Sequence, residues 1–453
     1  MTATATYNSG TKVISVTGDG LPDPVSYGTF PNLNNPNGVT EQAFSHSFTY
    51  RGGEFGVERT FDDNTYFQSG FVISVNISTN DNALFAAQTI APGDHLMFVF
   101  SDGRKQRFIF RGTTFTSIAG ECWLATDQRL DLIVADSQTI PTGTYTYYDQ
   151  RNGRIETPLG SIGIAANGVV FFNPSAGNGG NPPVGFNWNA HYPSSPVDFG
   201  DDSCGGHPES TGQYHYHDTH FIDCWKQNSA MANYNDYYGS SQFNGDNMRH
   251  PDGHSKILGY CFDGFPVYGP FGYDVPFTAS QTTRFMGSSY RTKNIETAGR
   301  PDYGTTAQNP PAGSLIQDWE YVDGIGDLDM HNGRYCVTPE FPNGTYAYFI
   351  SIDATGEAAY PYMVGTFSRE SLNAPANNGA ATPPSQGGGD GGAPPVTPTL
   401  QITAQPQSGT AAVNTTVTFT VQAQVSPVPG PISYQWYRSV SYTHLTLPTN
   451  REV

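Results

Sequence analysis

The sequence predicts a mostly β, loop-rich protein of several modules, and three observations carry that expectation. Charged residues make up only 13% of the 453 residues, about half the roughly 25% of an ordinary soluble domain. Glycine (51), proline (34), phenylalanine (28) and tyrosine (27) are abundant, so turns are frequent and apolar area for a core is ample. Short alternating runs also recur between Gly/Pro/Asn clusters, which is strand-and-turn patterning. The composition excludes a disordered chain, which needs few aromatics and many charges. It equally excludes a helical bundle or coiled coil, which needs Ala, Glu, Lys and Leu in quantity.

Taken in order, residues 1–63 read as turns and loops (GDGLPDPVSYGTFPNLNNPNG). Residues 64–151 change to strand signals and form a small β insert. Phe71–Thr79 alternates, and His95–Phe100 and Arg107–Arg111 flank Ser101-Asp102-Gly103, an Asp-Gly turn. Residues 152–370 return to loops with short strands. A linker over 371–398 mixes Gly flexibility with Pro stiffness. Residues 399–440 read as strands again. An alternating strand (Val417–Ala423) followed by Trp436 in an apolar strand resembles the first half of an immunoglobulin-like sandwich, with Val421 where the disulfide cysteine would stand. Residues 441–453 do not continue that pattern and resemble translated sequencing-adapter sequence.

Forty acidic residues against 21 basic give a net charge of −19. A field of that sign repels phosphate backbones, so nucleic acid is not an expected partner. The longest apolar runs, such as Leu96–Phe100, are far short of the roughly 20 residues that span a bilayer, and the first residues show no secretory signal. Of the five cysteines, Cys204, Cys224, Cys261 and Cys336 cluster within 204–336. They are candidates for disulfides, whose pairing the sequence leaves open.

Seven of the eleven histidines lie in residues 191–254. The sharpest element is Tyr214-His215-Tyr216-His217. Successive side chains of a strand alternate faces, so His215 and His217 share one face and can reach one ion. Further ligands are expected from His207 and His254. Asp263 and Asp329 are candidate supporting carboxylates, and Tyr214 and Tyr216 alternative ligands. Nitrogen ligation favours zinc, copper or iron over calcium. A packed His/Tyr network held by hydrogen bonds is the competing expectation for the same strand. Asp323–Gly333 (DGIGDLDMHNG) carries carboxylates without EF-hand spacing. Cys204 near His207 and Asp201 is the one arrangement suggesting a thiol nucleophile.

These motifs resemble the YHYH-domain family, named for the tetrapeptide found here at Tyr214–His217. Gly20–Pro31, Thr157–Pro174, Cys204–Pro208, His254-Ser255, Gly259–Pro270, Gly326–Arg334, Thr338–Tyr348 and Tyr360–Gly365 follow the family's order. Some family members repeat the tyrosine-histidine alternation near the closing segment; Gly344–Phe349 here has no histidine. The resemblance implies a discontinuous loop-rich β-sheet or sandwich domain over 12–63 plus 152–370, interrupted by the 64–151 insert. Together with the immunoglobulin-like module behind a Gly/Pro linker, the low charge and the lack of catalytic signatures, it favours a surface or phage virion protein, of virion or extracellular localisation, with a non-enzymatic scaffold or adhesion role. Its partners would be other virion or surface proteins or host-surface glycans. The alternatives are a metal-dependent enzyme built on the Tyr-His-Tyr-His strand, and a carbohydrate-binding module using Tyr234–Tyr238 or the β insert.

Overall fold

The computed structural model describes residues 4–21, 29–41, 44–60, 65–67, 72–100, 103–115, 118–134, 146–150, 155–177, 185–191, 198–202, 205–217, 249–279, 282–294, 310–353, 358–373, 399–404 and 422–426. Strands dominate, as the composition predicts. Residues 1–385 form one compact unit and 386–453 a second.

The chain enters through a three-stranded antiparallel sheet of β1 (Thr4–Asn8), β2 (Val13–Gly18) and β3 (Phe44–Thr49). Its buried face (Ile14, Val16, Phe48) packs on Ile164 and Phe262 of the main sheet. An eight-stranded sheet follows, made of β4 (Val57–Thr60), β5 (Thr65–Phe67), β6 (Val72–Asn76), β7 (His95–Val99), β8 (Lys105–Phe110), β9 (Glu121–Leu124), β10 (Arg129–Ile133) and β11 (Thr146–Gln150). It has its own core, in which Phe98 and Phe108 meet edge to face at 5.6 Å. β7 and β8 pair antiparallel, as the pattern implied, while Ser101 and Asp102 between them lie outside the described residues. A short helix, α1 (Thr79–Ala86), was not anticipated. Ser78 caps it by accepting the Asp81 N–H at 3.0 Å.

The main sheet comes next. Its strands, with smaller pairs between them, are β12 (Ile155–Glu156), β13 (Ser161–Ala165), β14 (Val170–Phe172), β15 (Gly206–Pro208), β16 (Tyr214–Tyr216), β17 (Ile257–Cys261), β18 (Pro266–Tyr268), β19 (Phe271–Tyr273), β20 (Thr283–Phe285), β21 (Tyr290–Thr292), β22 (Trp319–Tyr321), β23 (Gly333–Cys336), β24 (Thr345–Phe349) and β25 (Phe367–Ser368). The eight-stranded order is β15-β16-β14-β13-β17-β18-β24-β23. On its inner face lies the largest core, rich in buried tyrosines: Tyr214, Tyr216, Tyr335, Tyr346 and Tyr348. In the second unit β26 (Thr399–Ala404) pairs antiparallel with β27 (Gln422–Ser426). The expected Trp436, the linker over 374–398 and residues 441–453 lie outside the described residues.

The disulfide expectation is corrected for two of its four cysteines. Cys261 and Cys336 are free and buried. They sit on β17 and β23, three strand spacings apart in the sheet, roughly 14 Å, where a disulfide needs Cα atoms within about 7 Å. Cys204 and Cys224 lie outside the described residues.

Candidate metal centre

Strand β16 does what alternation requires. Tyr214 and Tyr216 point into the inner core, and His215 points to the opposite face with His217 just past the strand end. β15 is the edge strand beside β16, and its register sets His207 directly opposite His215. Directly opposed residues of an antiparallel pair share a face and touch. His207, His215 and His217 therefore converge, all three buried, each offering one ring nitrogen within 4.8 Å of the others.

The hydrogen bonds decide which nitrogens face the centre. His215 Nδ1 lies 3.1 Å from the Gln213 carbonyl and His217 Nδ1 lies 2.6 Å from the Asn173 carbonyl. A carbonyl only accepts, so both Nδ1 atoms carry the proton. His207 Nδ1 is bonded to Asp201, which also takes His191 Nδ1 at 3.1 Å. Burial pushes the Asp201 carboxyl up, but the hydrogen bonds from His191 and His207 outweigh it and hold it well below the usual carboxylate range. Each imidazole is thus held from behind through Nδ1, with Nε2 on the opposite side of the ring, the arrangement that orients metal-ligating histidines.

The two Nε2 atoms of His215 and His217 meet at 3.0 Å. In their neutral tautomers both are acceptors, and two acceptors at this distance suit a shared cation. A proton is disfavoured at His215: burial, followed by the neighbouring His207 and His217, holds its pKa well below 6.5. Phe172 stacks on the His215 ring at 3.8 Å and closes one side. This group can hold a metal ion.

Other expected site residues are placed elsewhere. His254 packs on Tyr268 at 5.2 Å and on Phe349 at 5.9 Å. Tyr268 belongs to β18, four strand spacings from β16 and roughly 19 Å away. His254 is therefore no ligand of this centre. Asp263 accepts from the Tyr348 hydroxyl at 2.6 Å, and Asp329 from the Tyr346 hydroxyl at 2.9 Å. Both carboxylates anchor core tyrosines rather than histidines. Tyr214 donates to Asp202 at 2.9 Å, and Tyr216 accepts from Asn167 at 3.0 Å. Both face the core, so the tetrapeptide presents on one face histidines that can hold a metal and on the other hydrogen-bonded tyrosine packing. In the 323–333 loop the carboxylates are engaged by the protein itself: Asp327 with Arg284, and Asp323 with the Tyr321 hydroxyl at 2.8 Å. Tyr234–Tyr238 lies outside the described residues.

Sequence reasoning missed Asp201 and His191 as supports of His207. Asp201 was read only as company for a Cys204 thiol. Its signal is its place six residues before His207, across the turn in which the Gly205 N–H donates to the Asp202 carbonyl at 3.0 Å.

His254 has a separate consequence. Burial pushes its pKa down to about 4 from the ordinary 6.5. The unfolded chain binds this proton below about pH 6.5 and the folded chain only below about 4, so stability is intact above 6.5 and falls across that window as the pH drops. The full loss is about 3 kcal/mol, at 1.36 kcal/mol per pKa unit. His254→Gln should remove it: urea midpoints at pH 7 and pH 4.5 should differ less in the variant than in the wild type. Equal differences would rule the assignment out.

No helix among the described residues is long and apolar enough to cross a membrane. Comparison with curated proteins returns no match, nor does comparison with solved structures. Residues 139–360 match the family described as YHYH protein, a match that starts before β12 and leaves 12–63 outside it. Residues 139–360, just under half of the chain, carry the YHYH domain.

Proposed function

We propose that the YHYH domain is a rigid β scaffold locked by one transition-metal ion on His207, His215 and His217, and that the protein serves a non-enzymatic structural or adhesive role at a virion or cell surface. One observation carries the metal: two buried Nε2 acceptors at 3.0 Å, each with its Nδ1 proton committed to a carbonyl. Three imidazoles suit zinc, copper or iron and do not suit calcium, which takes oxygen ligands. The surface role is supported by low charge, a Gly/Pro linker and a further β module after it. Its partners would be other virion or surface proteins or host-surface glycans.

Elemental analysis of purified protein tests the metal. We expect close to one equivalent in the wild type and less than a tenth in His215→Ala and His217→Ala. A metal-free wild type that is folded and stays metal-free when zinc, copper or iron is added would overturn the reading. Finding the protein only in cytosolic fractions, never on particles or envelopes, would remove the surface role.

A second reading has one observation in its favour. Among the described residues three side chains and no fourth reach the centre, and three protein ligands plus an open position mark a catalytic metal. Azide added to the cobalt-substituted protein separates the two: a changed visible spectrum supports the open site, and an unchanged one the scaffold.

A further inference from the structure

The strand order of the main sheet reads the same from either edge once strands are paired as β13 with β17, β14 with β18, β15 with β23 and β16 with β24. On both sides the inner hairpin is antiparallel (β13–β14 and β17–β18), the next contact is parallel (β14–β16 and β18–β24), and the edge contact is antiparallel (β15–β16 and β23–β24). The two hairpins carry a register shift at the same place, between Ser161 and Gly163 and between Ile257 and Gly259.

The central pair β13–β17 shows the relation most directly. Gly163 pairs with Cys261, Ile164 with Tyr260 and Ala165 with Gly259. If Gly163 corresponds to Gly259, Ile164 to Tyr260 and Ala165 to Cys261, the pair Gly163–Cys261 maps onto the pair Gly259–Ala165, and Ile164 faces its own counterpart. That is the self-complementary contact a two-fold axis makes.

The detail repeats beyond the backbone. Gly206 lies against the Tyr214 ring and Gly333 against the Tyr346 ring, each leaving 2.3 Å between an added Cβ and the hydroxyl oxygen. The hydroxyl of Tyr214 donates to Asp202, and that of Tyr346 to Asp329. Tyr216 bonds Asn167 of one turn, and Tyr348 bonds Asp263 of the other.

This correspondence aligns His207 with Arg334, His215 with Ala347 and His217 with Phe349. One support changes with them: Asp201 aligns with Leu328, whereas Asn173, which holds His217 by its backbone carbonyl, aligns with Gly269 and so keeps a carbonyl there. Arg334 is 2% exposed. Its guanidinium sits 5.4 Å from the centroid of the Phe349 ring and donates to the Tyr273 carbonyl at 2.6 Å. Ala347 leaves the room that a longer side chain needs, and an aromatic face attracts a cation.

We propose that the two halves of the main sheet are copies of one unit about a two-fold axis through the Ile164–Tyr260 pair, and that the Arg334 guanidinium occupies in the second copy the place of the metal ion in the first. The metal half of this proposal rests on the reading above; the symmetry does not.

Two exchanges test it, each on the full chain. Grafting the second solution onto the first copy (His207→Arg, His215→Ala, His217→Phe) should give a folded protein that contains no metal and whose melting midpoint is unmoved by EDTA. The reverse graft (Arg334→His, Ala347→His, Phe349→His, Leu328→Asp) should raise the zinc content from one equivalent to two. A metal-free wild type would defeat the metal reading alone, and the first graft would still report on symmetry by folding. If the first graft unfolds while the His207/His215/His217 triple alanine folds, or if the reverse graft folds and stays at one equivalent, the proposal is overturned. If neither graft folds, the copies are not interchangeable and it is overturned as well.

Discussion

Stripping the metal with a chelator is expected to lower the melting midpoint of the YHYH domain by roughly 8–16 °C. A ligand that binds only the folded state, present at about 1,000 times its dissociation constant, stabilises by about 4 kcal/mol. In a domain of about 150–250 residues each kcal/mol moves the midpoint by roughly 2–4 °C. The edge pair β15–β16 should open first, because among the described residues β15 has β16 as its only strand partner. Hydrogen exchange should therefore quicken at Gly206, His207 and Tyr214–Tyr216 while Tyr346–Tyr348 stays protected. His217→Ala should show the same lowered midpoint with or without chelator. A wild-type midpoint that EDTA leaves unchanged would sink the structural role.

Acid should release the ion as well, since ligating imidazoles must be neutral and protons compete for Nε2. Burial already keeps His215 neutral well below its ordinary range. In the folded protein the competition is thus weak near pH 7 and grows as the pH falls, and the unfolded chain, whose histidines protonate near 6.5, gains from the same drop.

The candidate centre was legible where local geometry governs it. The alternation of a strand alone puts His215 and His217 on one face, and the Gly205-Gly206 turn keeps His207 close in sequence. His254 was misplaced because its neighbours are set by β18 and β24, a pairing that joins residues 268 and 349 and leaves no local trace. Asp263 and Asp329 were misread for the same reason: a carboxylate looks alike in sequence whether its partner is a histidine or a buried tyrosine hydroxyl. The symmetry did leave a trace. Gly163, Asn167-Gly168 and Pro174 recur at the same spacing as Gly259, Asp263-Gly264 and Pro270. Connections of unequal length between the strands hide it, and it becomes meaningful only when the register shows that β13 and β17 lie side by side.

Gly259→Val should abolish cooperative folding, and Gly259→Ala should cost about 3 kcal/mol, at the upper end of ordinary overpacking. A Cβ at this position would stand 2.5 Å from the Ile164 carbonyl oxygen and 3.0 Å from the Ala165 Cα. Both are backbone atoms of the adjacent central strand, so no rotamer change relieves the contact, and β13 and β17 must move apart. The strands they would carry hold the tyrosine core on one face and, through β14 and β16, the histidines on the other. Against a total stability of about 5–15 kcal/mol, valine's added methyls at an unyielding contact leave no folded population to measure. Gly163 should respond in kind, since its Cβ would meet the Tyr260 carbonyl at 2.7 Å and the Phe171 ring closer still. Gly38, with nothing within 4 Å of an added Cβ, should accept alanine within about 0.5 kcal/mol. Urea denaturation of the three alanine variants checks the order. If Gly259→Ala melts with Gly38→Ala, the close approach of the two central strands is wrong, and the two-fold pairing built on it fails too.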